Sequence, residues 1–302
     1  MNFYSNGKLL LTGEYLVLEG AKSLAIPTKQ GQDLIVEIKY SNKGILHWKS
    51  FDLNNKIWFY CDIELPSLQL INFNDKKTAK TLQKILFEAR KLNSQFLFVN
   101  DKVEAHTNLN FEQNWGLGTS STLINNIASW AKIDAFELQF KIFGGSAYDI
   151  ACAQNNTPII YQLDKGKPNV EKINFSPKFK DNLFFIHLNK KQNSRDSIAQ
   201  FNKVELDKKT AIDEISEITN QIISNKSLSE FEFLIKKHEE IISSIIGVEP
   251  IQKKLFKNYS GQIKSLGAWG GDFILATGNE QTIAYFNKRG YTTIIPFSKM
   301  IL

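Results

Sequence analysis

The sequence predicts an α+β protein of two domains. Three observations carry that expectation. The first third of the chain reads as strands, by period-two alternation or as continuous apolar runs. Two long segments in the second half carry isoleucines at helical spacing. Between them runs a polar, Pro-containing stretch, Lys165 to Pro177, where a boundary is expected. A chain of 302 residues is long enough for one large or two moderate domains with ample core.

In chain order, "DLIVEIKY" (33–40) and "KIWFYCDIE" (56–64) read as strands. Ala79, Leu82, Ile85, Leu86, Ala89 and Leu92 then fall on one face of a helix. A glycine–hydroxyl segment follows and opens a second helix with Leu123, Ile124, Ile127, Ala128 and Ala131 on one face. "FGGSAYDIACAQNNTPIIYQL" is a glycine turn, a short apolar stretch and a strand. "NLFFIHL" (182–188) is a buried strand. Two amphipathic helices come next, one with Ile212, Ile215, Ile218 and Ile222, the other with Leu234, His238, Ile241, Ile242 and Ile245. "AWGGDFILATG" is a glycine turn into a strand, and "TIAYFNKRGYTTIIPF" a helix-to-strand finish.

Composition narrows the function classes. Hydrophobic residues at 42% and charged residues at 23% are ordinary for a globular chain. No run of about 18 apolar residues suggests a membrane span, and Glu14 interrupts the N-terminal apolar run that a signal peptide would need. Cys61 and Cys152 give no disulfide framework, so the expected compartment is the cytoplasm. The net charge of +6 comes from dispersed lysines with only three arginines, Arg90, Arg195 and Arg289. Nucleic-acid readers rely on arginine, so neither nucleic acid nor membrane is an expected partner. His47, His106, His187 and His238 show no metal-ligand spacing, and His238 reads as a core or boundary residue.

"NWGLGTSSTLINNIASWAK" (114–132) carries the most chemistry. One helix cap needs one hydroxyl, and here Thr119, Ser120, Ser121 and Thr122 supply four. A helix start gathers free N–H donors and the positive end of the dipole, and glycines let backbone approach a ligand closely. The surplus hydroxyls suit phosphate oxygens or a hydrated Mg²⁺ carried by a nucleotide. An ordinary capped helix is the alternative. The segment is neither a P-loop, since no Lys-Ser or Lys-Thr follows its last glycine, nor a dinucleotide fingerprint, since the third glycine is missing.

Three more stretches hold glycines and charges beyond what a fold requires: "NGKLLLTGEYLVLEG", "GGSAYDIA" and "SLGAWGGDFILATG". Together with "GLGTSST", in this order, they resemble the three motifs of the GHMP kinase superfamily, and the resemblance spans nearly the whole chain. "GEYLVLEG", "SAYDIACA" and Asp272 are most similar to the mevalonate-pathway branch, phosphomevalonate kinase and mevalonate kinase. The resemblance implies a two-domain α+β fold, with a ribosomal-protein-S5-like N-terminal domain at 1–170 and a ferredoxin-like C-terminal domain at 171–302. It implies a cytoplasmic kinase using ATP and Mg²⁺ on a mevalonate-type metabolite, or on homoserine or a sugar, or else a non-catalytic ligand-binding relative. A monomer or homodimer is expected.

The resemblance also implies site residues. Asn114, Trp115, Gly116, Leu117, Gly118, Thr119, Ser120 and Ser121 would hold ATP, with Ser120 the Mg²⁺ ligand. Lys8 and Asp149 would be catalytic, with Lys8 near Asp149. Glu14, Tyr15, Ser146, Ser194, Gly270, Gly271 and Asp272 would contact the substrate, with Lys191 and Arg195 as candidates for its anionic group. Departures are Asn6 where the family has proline, and Trp269 in place of the third motif's middle glycine. Glu137 lies about one residue from the place of an acidic Mg²⁺ ligand.

Overall fold

The computed structural model describes residues 1–190, 201, 208–269 and 271–302. They form two compact units that interleave along the chain: 1–7, 30–113 and 117–154 make the first, and 8–29, 114–116 and 155–302 the second. The strand β2, Ser23–Lys39, runs from the second unit into the first. Its C-terminal residues pair with one neighbour and its N-terminal residues with another, each in a different unit.

In the first unit, β3 (Ile45–Phe51), β4 (Ile57–Glu64), β5 (Leu70–Phe73) and β6 (Lys102–Asn108) lie with β2 in the order β5-β4-β3-β6-β2. All neighbours are antiparallel except β3 with β6. Alternate residues of β3 and β6 are buried, as expected when one sheet face meets the core. The core is filled by Trp48, Phe59 and Val103 from the sheet and by Leu82, Leu86, Ile124, Ile127 and Leu138 from helices. Those helices are α1 (Lys76–Leu92), α2 (Thr119–Ala131) and α3 (Ala135–Ile142). Asp75 caps α1 by accepting the Thr78 N–H at 2.7 Å. The short apolar stretch after the second glycine turn is a helix, α4 (Tyr148–Gln154).

In the second unit, β7 (Ile159–Asp164) and β8 (Lys167–Lys172) form a hairpin. The polar stretch expected as a boundary therefore begins with a turn and a strand. Lys165 and Gly166 have φ of 47° and 79°, the signature of a tight hairpin turn. The strand β8 has no buried residue, so it reads as loop. A second, all-antiparallel sheet has the order β10-β11-β9-β12, with β9 at Leu183–His187, β10 at Ile263–Ser265, β11 at Phe273–Thr277 and β12 at Ile294–Pro296. Every residue of β9 and β11 is buried, which accounts for their continuous apolar runs. The helices are α5 (Lys209–Ser224), α6 (Leu228–Ile246), α7 (Ile251–Leu255), α8 (Glu280–Asn287) and α9 (Phe297–Met300). Ser227 accepts from the Glu230 N–H to cap α6, and Gly247 at φ 66° ends it. Among the described residues no helix is long and apolar enough to cross a membrane.

Candidate functional site

The glycine–hydroxyl segment folds differently from a simple capped helix. Gly118, at φ 93°, is the cap residue of α2, and no side chain caps the helix. Ser121 Oγ turns back to donate to the Gly118 carbonyl at 2.9 Å, and Thr122 Oγ1 donates to Gln32 Oε1 at 2.7 Å. Two of the four hydroxyls are thus committed to the protein. Thr119 is half-buried and Ser120 exposed on the first turn. The four-hydroxyl surplus therefore leaves Ser120 at a helix start whose first amides lack a side-chain acceptor.

Behind this turn lies a buried polar network that the apolar periodicity hides. Ser5 Oγ donates to Asn126 Oδ1 at 2.7 Å and accepts from Asn125 Nδ2 at 2.9 Å. Asn126 Nδ2 donates to the Gln32 carbonyl, and Gln154 Nε2 to Asn125 Oδ1, both at 3.0 Å. The network ties α2 to β1 (Asn2–Leu10), to β2 and to α4, which carries Asp149. The signal was two consecutive asparagines inside an apolar helical run, since buried amides need partners.

Asp149 sits in the first turn of α4, half-buried, its Oδ1 accepting the Ile150 N–H at 3.1 Å. The approach runs through left-handed backbone at Gly144, Gly145 and Ala147, with φ of 67°, 82° and 60°. For Ala147 that conformation costs of order 1–2 kcal/mol. Ser146 in the same turn is buried. Glu137 on α3 is exposed and 3.6 Å from Lys141, one helical turn on. Among the described residues no cluster of three His, Cys, Asp or Glu side chains could hold a metal ion.

In the second unit, Lys8 Nζ donates to the Gly116 carbonyl at 2.8 Å. A Cβ at Gly116, φ 68°, would fall 2.4 Å from Asp272 Cγ, so the Asp272 carboxyl lies directly against this glycine. Asp272 itself has φ 51°; its N–H donates to the Lys190 carbonyl and its own carbonyl accepts from Leu188 N–H. Asn114 is exposed, and its carbonyl accepts from His187 Nε2 at 3.2 Å. The Trp115 ring meets Phe273 edge-on at 5.5 Å. Trp269, at φ 51°, is buried rather than facing an opening. Ser194 and Gly270, with Lys191 and Arg195, lie outside the described residues.

Glu14 is wholly buried, and so are the groups around it. Lys264 Nζ donates to Glu14 Oε1 at 2.5 Å and to the Ser265 carbonyl at 2.9 Å, and lies 3.5 Å from Glu239 Oε1. Ser265 Oγ donates to Glu239 Oε2 at 2.9 Å. His238 Nε2 accepts the Gly13 N–H at 2.9 Å, so the ring is neutral with its proton on Nδ1. The 3.3 Å approach of Glu14 Oε2 to the same nitrogen is therefore not an ion pair. Burial pushes the Glu14 carboxyl up to about 6 against the pull of Lys264, and the Glu239 carboxyl up to about 7. Burial, reinforced by Lys264, holds His238 well below the ordinary imidazole range. Tyr15 follows at φ 65°, its hydroxyl donating to the Ala268 carbonyl at 2.9 Å. Lys264 and Glu239 carry no local signal and look in sequence like ordinary surface charges.

No protein-family model and no curated protein matches the chain. Solved structures do match in fold. The mevalonate kinase of Methanococcus jannaschii has a TM-score of 0.68 at 17% identity, over 96% of this chain and 94% of that one. The phosphomevalonate kinase of Streptococcus pneumoniae, solved with phosphomevalonate and AMPPNP, has a TM-score of 0.66 at 15% identity, over 96% and 95%. Galactokinase of Lactococcus lactis, solved with galactose, gives 0.68 at 11% identity, over 95% and 87%. The chain thus has the fold of the GHMP kinases, as its motifs implied.

Two outcomes follow from this geometry. Gly116→Ala meets both a left-handed backbone, about 1–2 kcal/mol for an L-residue, and the Asp272 carboxyl. Urea unfolding of Gly116→Ala, Asp272→Ala and the double variant is expected to give a double-variant loss smaller than the sum of the singles, because removing the carboxyl relieves the contact. Strict additivity would mean that the two residues do not meet. Separately, a carboxyl whose folded pKa is raised favours folding fully below its unfolded value near 4.5, and this contribution is lost as pH rises through the folded value. Wild-type stability relative to Glu239→Gln should therefore fall between about pH 4.5 and 7. The depressed His238 acts oppositely, below about 6.5, in both proteins alike. Parallel stability curves for the two proteins would show that Glu239 does not titrate in this window.

Proposed function

We propose that the protein is an ATP-dependent kinase that transfers the γ-phosphate to a hydroxyl or phosphate of a small metabolite of the mevalonate type, phosphomevalonate or mevalonate. The observation that carries this reading is the exposed Ser120 hydroxyl on the first turn of a helix entered through two left-handed glycines, with no side-chain cap. The fold shared with mevalonate and phosphomevalonate kinases supports it. The galactokinase likeness favours, as the second reading, the same chemistry on another small alcohol.

Phosphoryl transfer needs positioning and charge neutralisation more than covalent chemistry. Backbone N–H groups of Gly116 to Ser121 are assigned to the β- and γ-phosphates, at the positive end of α2. Asn114 and Trp115 belong to the same nucleotide-binding stretch. Mg²⁺ is a hard cation that keeps waters and phosphate oxygens around it, so a serine hydroxyl fits as a protein ligand; when bound it would neutralise charge on the transferring group. Ser120 is that ligand, and Thr119 assists. Asp149 accepts the acceptor's proton or orients its hydroxyl. Lys8 is assigned to stabilising the charge that develops on the transferring group. Ser146, Gly271 and Asp272 are assigned to the substrate side, in domains expected at 1–170 and 171–302.

The test is ATP consumption against mevalonate, phosphomevalonate, homoserine and sugars, with two variants. Asp149→Asn is expected to retain ATP binding and lose about two or more orders of magnitude in turnover. Ser120→Ala should change stability by no more than about 0.5 kcal/mol, since the hydroxyl caps nothing, while Mg·ATP use falls sharply. Near-wild-type turnover in Asp149→Asn would remove it from the chemistry. ATP binding without phosphorylation of any acceptor in the panel would favour a non-catalytic relative.

A further inference from the structure

We propose that Glu14 and Lys264 are positioning residues: their buried ion pair sets the backbone of the third glycine turn against the stretch that follows Lys8. The proposal rests on the kinase reading for its consequence, and on geometry for its substance. Glu14 lies six residues after Lys8, and Lys264 three residues before Gly267. Both side chains have no solvent exposure, so water does not screen the pair.

The hydrogen bonds of the Lys264 ammonium run to both of these stretches. The Lys264 ammonium spans Glu14 on one side and the Ser265 carbonyl, at the entrance to the turn, on the other. Glu239, on α6, approaches the same ammonium and takes the Ser265 hydroxyl, so α6 backs the turn entrance. His238, its chain neighbour, takes the Gly13 N–H and so backs the other stretch. Tyr15 makes a second bridge of the same sense, from its hydroxyl to the Ala268 carbonyl. Both stretches also hold left-handed non-glycine backbone, Tyr15 on one side and Trp269 and Asp272 on the other. Such conformations persist only where the surroundings over-determine them.

An apolar pair of the same size would hold the stretches together at least as firmly, because buried ion pairs are poor sources of net stability. It would not fix direction. A 2.5 Å charge-assisted hydrogen bond has one geometry, whereas two methylene chains slide over each other. Glu14 thus acts through the turn, from a position with no solvent exposure.

The experiment compares Glu14→Gln/Lys264→Met, which removes both charges at nearly constant volume, with Glu14→Gln, which leaves the lysine a neutral acceptor. Two readouts are taken at a temperature where each variant is fully folded. Amide hydrogen exchange should accelerate by about tenfold or more in residues 11–17 and 263–269 together, with the first unit's sheet unchanged. The kcat on the best acceptor should fall by at least about tenfold, with KM for ATP moving less than about threefold. Exchange rising uniformly along the chain, or only beside the substituted residues, would overturn the proposal, as would wild-type kcat in a folded double variant. If the wild type phosphorylates nothing, the exchange result still decides the positioning role, and the kinase reading fails by itself.

Discussion

Left-handed backbone, held at residues that resist it, is the constraint on which the candidate site depends. Tyr15, Ala147, Trp269 and Asp272 all carry positive φ within the motif stretches, alongside Gly13, Gly116, Gly118, Gly144, Gly145 and Gly267. Each non-glycine case costs of order 1–3 kcal/mol, and the surrounding structure must offset it. The offset takes a different form in each unit. Around α2 and α4 it is a neutral amide and hydroxyl network of Ser5, Asn125, Asn126, Gln32 and Gln154. Around Tyr15 and the third turn it is a charged cluster of Glu14, Lys264 and Glu239, with His238 kept neutral.

The two solutions differ in how they respond to conditions. A neutral network does not titrate over ordinary pH, so the spacing of α2 and α4 is insensitive to it. The charged cluster balances one lysine against two carboxylates in a medium that disfavours net charge, and burial answers by lifting both carboxyls. Removing one partner from such a cluster is far more damaging than removing a balanced pair. Of the motif stretches, the third glycine turn is therefore the one most exposed to changes in protonation.

Much of the fold was legible in the sequence because it rests on periodicity. Leu82, Ile85 and Leu86 on α1, and Ile215, Ile218 and Ile222 on α5, are buried as their spacing implied. The glycines at 116, 118, 144, 145 and 267 marked real left-handed turns. What escaped notice had no local signature. The strand β2 is seventeen residues long because two different neighbours pair with its two ends, a tertiary fact. The strand β8 is polar and unburied, so propensity reads it as loop. Tyr15, Ala147, Trp269 and Asp272 adopt glycine-like backbone without being glycine. Lys264 and Glu239 lie 25 residues apart in sequence, on different elements, and reveal themselves only as a buried pair. The four hydroxyls at 119–122 look in sequence like competitors for one helix cap, whereas the cap residue is Gly118.

The most direct test of the central claim is amide protection on titrating the intact protein with Mg·AMPPNP, a non-hydrolysable ATP analogue. Saturable binding with protection concentrated at residues 116–121, reduced in Ser120→Ala, is the expected result. No binding at millimolar nucleotide, or protection that leaves 116–121 untouched, would contradict the assignment of this helix start as a phosphate cradle.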